Sequence, residues 1–166
     1  TVLSLLMYFI LSTTSGWTQS QEKAYAVLLN NFTKNIQWPV LQGNTFVIGV
    51  LSYPPLAGEL RSVTQQRNVA GKNIEIKELT SLEEAKSCQI VFIPAFKSKA
   101  LLTAEQMLKK IPLLIVTNKP DLALQGSDIN FILQDGKVQF EINAATIEAR
   151  GLKVSGTLKG LGIIVK

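Results

Sequence analysis

The chain has no histidine and one cysteine, Cys88, among its 166 residues. Without an imidazole, the usual Ser-His and Cys-His routes to an activated nucleophile are closed, and the commonest transition-metal ligand is missing. A single cysteine excludes an intramolecular disulfide and therefore a disulfide framework. It opens the run Cys88-Gln89-Ile90-Val91-Phe92-Ile93, which reads as a buried strand. Only Lys86 lies near enough in sequence to lower its pKa, so the thiol reads as a packing group rather than a reactive one. Charge is also sparse: 17% of residues carry it, and Lys109-Lys110 is the only adjacent basic pair. The net charge of +5 is thus spread too thinly to make a nucleic-acid stripe or a polybasic membrane patch.

Residues 1–20 carry no charge at all. An apolar run over residues 2–11 gives way to small and polar residues, the order found in a secretory leader. That run falls short of the roughly 18 to 20 residues that span a bilayer. The expectation is a cleaved leader over residues 1–20, cut after Gly16 or Ser20, and one exported domain over residues 21–166. A chain that is 46% hydrophobic holds enough apolar side chain for a real core.

Periodicity supplies the elements. Tyr25, Leu28, Leu29, Phe32 and Ile36 recur at helical spacing and stop at Trp38-Pro39, since proline disfavours helical geometry in the residue before it. A dense apolar strand over residues 45–51 closes at Pro54-Pro55, and a second helix covers residues 56–67. Ile74, Ile76 and Leu79 alternate as a strand, and residues 81–85 start a short helical turn. Strands over residues 90–93 and 113–117 flank a helix over residues 103–110. Ile129, Phe131 and Leu133 then alternate, Asp135-Gly136 turns the chain, and Val138, Phe140 and Ile142 alternate on the way back, a strong hairpin pattern. A helix over residues 144–150, stopped by Gly151, and a last helical stretch from Thr157 finish the chain. Strands alternating with helices predict an α/β three-layer sandwich with a mixed, mostly parallel sheet and a C-terminal antiparallel hairpin. No repeat, low-complexity stretch or linker divides it.

Few residues invite a chemical reading. Asn118-Lys119-Pro120-Asp121 looks like the guanine-reading motif of GTPases, but Gly71-Lys72-Asn73 lacks the rest of a phosphate loop, and a polar strand-to-turn corner is the better reading. Glu83-Glu84 falls in a solvated helical turn, and Asn31-Phe32-Thr33 meets the glycosylation pattern over a phenylalanine expected to be buried. Glu141 is a carboxylate with no visible cleft partner for acid-base work. Trp38 reads as a helix stop with its indole on the sheet edge, or as an aromatic lip for a ligand or partner. Asn143 reads as the N-cap of the helix that follows it. Lys34 and Arg150 are candidate contacts for acidic partners or ligands, and Trp38, Glu141 and Asn143 stand beside them as candidate partner or ligand contacts. Leu158, Leu161 and Ile163 are the first choice for a protein interface, with helix closure of the sandwich as the other reading of Leu158 and Leu161. No catalytic residue, metal or cofactor is expected.

Taken in order, several pieces resemble one family. The helix ending Asn31-Phe32-Thr33-Lys34-Asn35-Ile36-Gln37-Trp38-Pro39, the strand Phe46-Val47-Ile48-Gly49-Val50-Leu51, the Cys88 strand, the Asp135-Gly136 hairpin, Phe140-Glu141-Ile142-Asn143 and the ending Ala149-Arg150-Gly151-Leu152-Lys153-Val154-Ser155 look like the YfiR-like periplasmic proteins. The likeness covers nearly all of the expected mature chain. It departs where the family often has Cys-His and this chain has Cys88-Gln89, in lacking the cysteine pairs of some relatives, and at Gln125-Gly126-Ser127 and Ser155-Gly156. Disulfide-based redox sensing is put in doubt by those departures. The resemblance implies a periplasmic, non-enzymatic regulator. It would bind the outward-facing sensor part of an inner-membrane diguanylate cyclase or sensor kinase and restrain it. A periplasmic small-molecule sensor or carrier, with ligand at the sheet's carboxyl edge, is the alternative. Nucleic acid is not an expected partner, and a homodimer is left open.

Overall fold

The computed structural model describes residues 15–39 and 43–165, with side chains from residue 21 onward. Residues 1–14, most of the expected leader, lie outside it. The chain begins with a helix over Ser15–Asn35 (α1), which gives way to a two-residue strand, Ile36–Gln37 (β1). Tyr25, Leu29, Phe32 and Ile36 fall on one stripe of this segment and are buried, while Lys23, Asn31 and Lys34 face outward, the division a surface helix makes.

Strand β2 (Thr45–Leu51) leads into helix α2 (Pro54–Thr64). The proline pair was expected to close the strand and leave the helix to start at Leu56. Instead it fills the first helical positions, where a missing N–H costs nothing and the fixed φ suits the helix. The helix also stops short of Arg67, at Thr64. A short strand β3 (Asn68–Val69) then pairs back on β4 (Lys72–Leu79). A 3-10 turn over Glu83–Ser87 precedes β5 (Ile90–Ile93), and a second over Ala95–Lys97 precedes helix α3 (Ala100–Leu108). Strand β6 (Leu114–Thr117), the hairpin β7 (Ile129–Gln134) and β8 (Lys137–Asn143), and helix α4 (Ala144–Ala149) follow. The chain ends in β9 (Lys153–Val154), α5 (Gly156–Leu161) and β10 (Ile163–Val165). The last helical stretch is therefore shorter than expected and yields to an unforeseen edge strand.

The main sheet runs β10-β8-β7-β6-β5-β2-β4-β3. Its centre is parallel, and antiparallel pairing enters at the β7–β8 hairpin and between β3 and β4. This is the mixed, mostly parallel sandwich predicted. Successive residues send side chains to opposite faces. Phe46, Ile48, Val50, Ile90, Phe92, Leu114, Val116, Ile129 and Phe131 meet α1 and α2 on one face. Leu51, Val91, Ile93, Leu113 and Ile115 meet Leu82, Ala85, Leu101, Ala104 and Leu108 from the first 3-10 turn and α3 on the other. The hairpin turn matches its reading: Asp135 and Gly136 both take left-handed φ, 51° and 72°, the geometry that follows the strands' twist.

Beneath α1 lies a continuous row of rings. Phe92 sits 6.1 Å from Tyr25, Tyr25 stacks on Phe131 at 4.7 Å, and Phe131, Phe32 and Phe140 continue the row at 5.9 and 5.3 Å. Away from the sheet, β1 and β9 form a small antiparallel ribbon, Ile36 opposite Val154 and Gln37 opposite Lys153. The Ser155 N–H extends it by donating to the Asn35 carbonyl at 2.9 Å. Two of the sequence pieces behind the family resemblance are thus joined in space.

Cys88 is buried beside Gly49 in β2, and a Cβ at Gly49 would stand 2.8 Å from its Sγ and 2.7 Å from Leu79 Cδ1. Gly49→Ala should therefore cost about 1 to 3 kcal/mol by overpacking. Urea unfolding checks this: the midpoint falls while the slope is unchanged.

Candidate functional site

A concavity lined by two of the nominated residues, Lys34 and Trp38, lies where α1 ends, at the amino end of the sheet. It is a groove of about 660 Å³ lined by Thr33, Lys34, Trp38, Asn68 and Lys72, among others. Lys34 leaves the exposed side of the last turn of α1, and Trp38 follows β1. The indole packs edge-on against Phe46 at 5.1 Å, and its N–H donates to the Thr33 carbonyl at 3.1 Å. The helix-stop reading of Trp38 matches this packing, and the half-buried indole also lines the groove. Lys72 arrives from the start of β4 and donates to the Gly43 carbonyl. Two ammonium groups beside an indole suit an anionic or planar guest. Lys34 and Trp38 were legible in sequence because they flank a helix end. Asn68 and Lys72 were not, since the pairing of β4 with β2 and of β3 with β4 brings them there.

The remaining nominated residues do not join this groove. Arg150, read as a surface cation, is 7% exposed. Its Nε stands 3.1 Å from Asp128 Oδ2, its Nη1 donates to the Leu108 carbonyl at 3.0 Å, and its Nη2 meets Glu105. It is a structural tie among α3, α4 and the strand entry at β7. Asp128 also accepts the Ile115 N–H at 2.7 Å. Burial pushes the Asp128 carboxyl up to about 6, against the downward pull of Arg150. Glu141 accepts from Asn130 Nδ2 at 2.9 Å, and Asn130 Oδ1 accepts from the Thr117 hydroxyl at 2.7 Å. That chain of hydrogen bonds satisfies buried polar groups of β6 to β8. Asn143 caps α4 as expected, its Oδ1 accepting the Thr146 N–H at 3.2 Å while its Nδ2 donates to the Ala123 carbonyl at 2.9 Å.

Leu158 is core, at 2% exposure, whereas Leu161 in the same short helix is 72% exposed. Ile163 and Ile164 of β10 are also exposed, and that strand ends the sheet. The first-choice interface thus divides: Leu158 closes the sandwich, and Leu161 with β10 forms an apolar edge.

The guanine-like motif is a corner. Asn118 Oδ1 accepts the Ala95 N–H at 2.7 Å, fastening the turn after β5, and Lys119 Nζ reaches Ser98 Oγ at 3.3 Å. Glu84 accepts from the Thr80 and Ser81 N–H groups and the Thr80 hydroxyl at its own 3-10 turn, which holds its carboxyl below the usual range. Burial pushes the Cys88 thiol up to about 11. Among the described residues, no three His, Cys, Asp or Glu side chains gather as metal ligands would.

A protein-family model described as YfiR/HmsC-like matches residues 22–162. No curated protein matches. Among solved structures, a conserved domain protein from Vibrio cholerae O1 biovar eltor str. N16961 is 10% identical with a TM-score of 0.55, over 87% of this chain and 60% of that one. The ABC domain in complex with L-Trp from Streptococcus pneumonia is 13% identical with a TM-score of 0.49, over 72% of this chain and 55% of that one. The chain therefore spans little more than half the length of either. The first likeness bears on the fold alone.

Arg150→Ala should cost about 3 to 5 kcal/mol, because it strands Asp128 in the interior without its cation. The raised Asp128 pKa contributes stability that is present in full below about pH 4 and is lost as pH rises through about 6. Removing Arg150 raises that pKa further, so the deficit of the variant, measured by urea unfolding, should be larger at pH 8 than at pH 5. Separately, Cys88 should resist a disulfide reagent at pH 8 in the native protein and react only once it unfolds, because its thiolate is scarce and buried.

Proposed function

The chain belongs to the YfiR/HmsC-like family, and from that membership we propose that it is an exported, non-enzymatic protein that binds the periplasmic sensor part of an inner-membrane signalling protein and restrains it. The family is regulatory rather than catalytic, and it is consistent with periplasmic control of diguanylate cyclases. The observation that carries the reading is the reach of the match, residues 22–162, which takes in both ends of the sandwich rather than one motif.

The surface that suits such a partner is the C-terminal edge. Leu161, Ile163 and Ile164 expose apolar side chains at 72%, 41% and 46%. Among the described residues, strand β10 pairs with β8 on one side only, and an unpaired edge is a template for adding a strand from another chain. An exposed apolar group of this kind is the usual centre of a protein contact.

A second reading is favoured by the Trp38 groove: a small-molecule sensor, with Lys34 and Lys72 meeting an anionic ligand. On this reading the ligand would lie at the amino end of the sheet, a different position from the carboxyl edge named from sequence. The two readings are compatible, since a regulator that responds to a cue needs a site for it.

A photo-crosslinking residue at position 161 or 164, used in intact envelopes, should capture a membrane sensor with cyclase or kinase output. The same residue at exposed Gln66, on the far side of the sheet, should not. Leu161→Asp should leave the melting temperature unchanged and reduce capture roughly tenfold or more. Recovery of freely diffusing protein alone would count against the regulatory reading.

A further inference from the structure

The carboxyl edge of the sheet holds a second cluster that the groove and the apolar edge leave unused. Strand order reverses between β2 and β5, and in α/β sheets the crevice beyond the carboxyl ends of such strands is the common ligand position. Here Tyr53 follows β2, and Phe96 follows β5. Their rings meet edge to face at 5.7 Å, and Phe96 is 64% exposed. Phe92 lies behind Tyr53 at 6.3 Å, and Tyr25 lies behind Phe92. Glu22 of α1 reaches into these rings with 5% of its surface exposed.

Its two oxygens are treated unequally. Oε1 accepts from the Tyr53 hydroxyl, while Oε2 is buried with no hydrogen-bond partner. None of the ion pairs among the described residues includes Glu22. The other deeply buried acid, Asp128, has a guanidinium and a backbone N–H. A carboxylate taken out of water needs a donor on each oxygen and a countercharge. Tyr53 supplies only a donor, and only to Oε1. Burial and Glu22 both hold the phenol protonated, well above its ordinary range, so it remains a donor. The backbone beside it is also under strain: Ser52, with no glycine's freedom, takes φ +51°, as residues at ligand clamps often do.

We infer that Glu22, Tyr53 and Phe96 form a binding site for a small primary ammonium compound, whose N–H meets Glu22 Oε2 and whose first methylenes lie against the rings. An ammonium supplies at once the missing donor and the missing charge, and aromatic faces attract a cation and its polarised CH groups. A chloride, phosphate or carboxylate supplies neither. The exposed Phe96 ring would be the movable wall, since among the described residues only Tyr53 stacks on it. The site lies at the opposite end of α1 from the Trp38 groove and requires no partner protein.

The test uses n-butylammonium chloride with the full chain, against sodium chloride at equal ionic strength. The melting temperature should rise saturably with butylammonium only. Glu22→Gln keeps the volume and the acceptor for Tyr53 but removes the charge, and it should abolish saturation. Phe96→Ala, at an exposed position, should keep the fold and weaken binding roughly threefold to tenfold. No saturable rise in the native protein would overturn the assignment, as would equal responses from all three proteins. Should Glu22→Gln fail to fold, Phe96→Ala decides alone: unchanged affinity overturns the site. Any of these failures leaves the regulatory reading standing, because that reading is tested by capture in the envelope.

Discussion

Seating α1 on the sheet is the constraint on which the other features depend. Tyr25 lies flat on Phe131, and Phe32 meets Phe131 and Phe140, so the helix is held on rings from β5, β7 and β8 rather than on aliphatic contacts alone. Aromatic pairs prefer a limited set of offsets and angles. A row of them fixes where along its axis the helix sits, which leucines in a smooth groove do less well. Once that register is set, Glu22 falls beside Tyr53 and Lys34 falls beside Trp38, about 18 Å apart at the rise of an α-helix. The Trp38 groove and the Glu22 cluster therefore lie at the two ends of one element. The β1–β9 ribbon and the bond from Ser155 to Asn35 finish the seating by tying the helix end to the C-terminal segment.

How much of this could be read from sequence follows the range of each interaction. The hairpin was legible to the residue, because alternation and an Asp-Gly turn are local properties and the turn's left-handed geometry belongs to those two residues. The Asn143 cap was legible for the same reason. Pro54-Pro55 misled because proline both ends strands and begins helices, and only the following register decides between these roles. Strands β1, β9 and β10 have two or three residues each, too few to show a period of two. Arg150 was misread because its partners, Asp128 and Glu105, lie 22 and 45 residues away. A lone cation in a helix looks solvent-exposed until the fold closes over it. Glu22 escaped notice on the same ground: an acid in a charged helical stretch carries no local mark of burial.

The two buried acids separate structure from function within one molecule. Asp128 sits in a saturated setting, where Arg150 and the Ile115 N–H account for it and no place remains for a ligand. Such a network fixes the way α3 and α4 meet the sheet rather than adding much net stability. Glu22 sits in an unsaturated one. Burial alone therefore does not distinguish a binding group from a tie; the count of unmet hydrogen bonds does.

The surfaces left over differ in kind, and that difference bears on how a regulator of this family works. The two places at the ends of α1 each set an aromatic face beside charged groups, Trp38 with Lys34 and Lys72 at one end and Tyr53 with Glu22 at the other, which suits a small guest. The edge made by Leu161 and β10 is apolar and open along a strand, which suits a second protein. They are not independent. Strand β10 pairs with β8 through Ile164 and Ile142, β8 carries Phe140, and Phe140 meets Phe32 of α1. A guest that favoured one seating of α1 would bear on Phe140 and on the strand behind it through these contacts. Coupling of that sort needs no long-range wire, only a guest whose affinity differs between two seatings of the helix. On the proposed function, a chain with no catalytic equipment in its sequence would then convert the presence of a small molecule into a change at its far edge, where a partner would be held or let go.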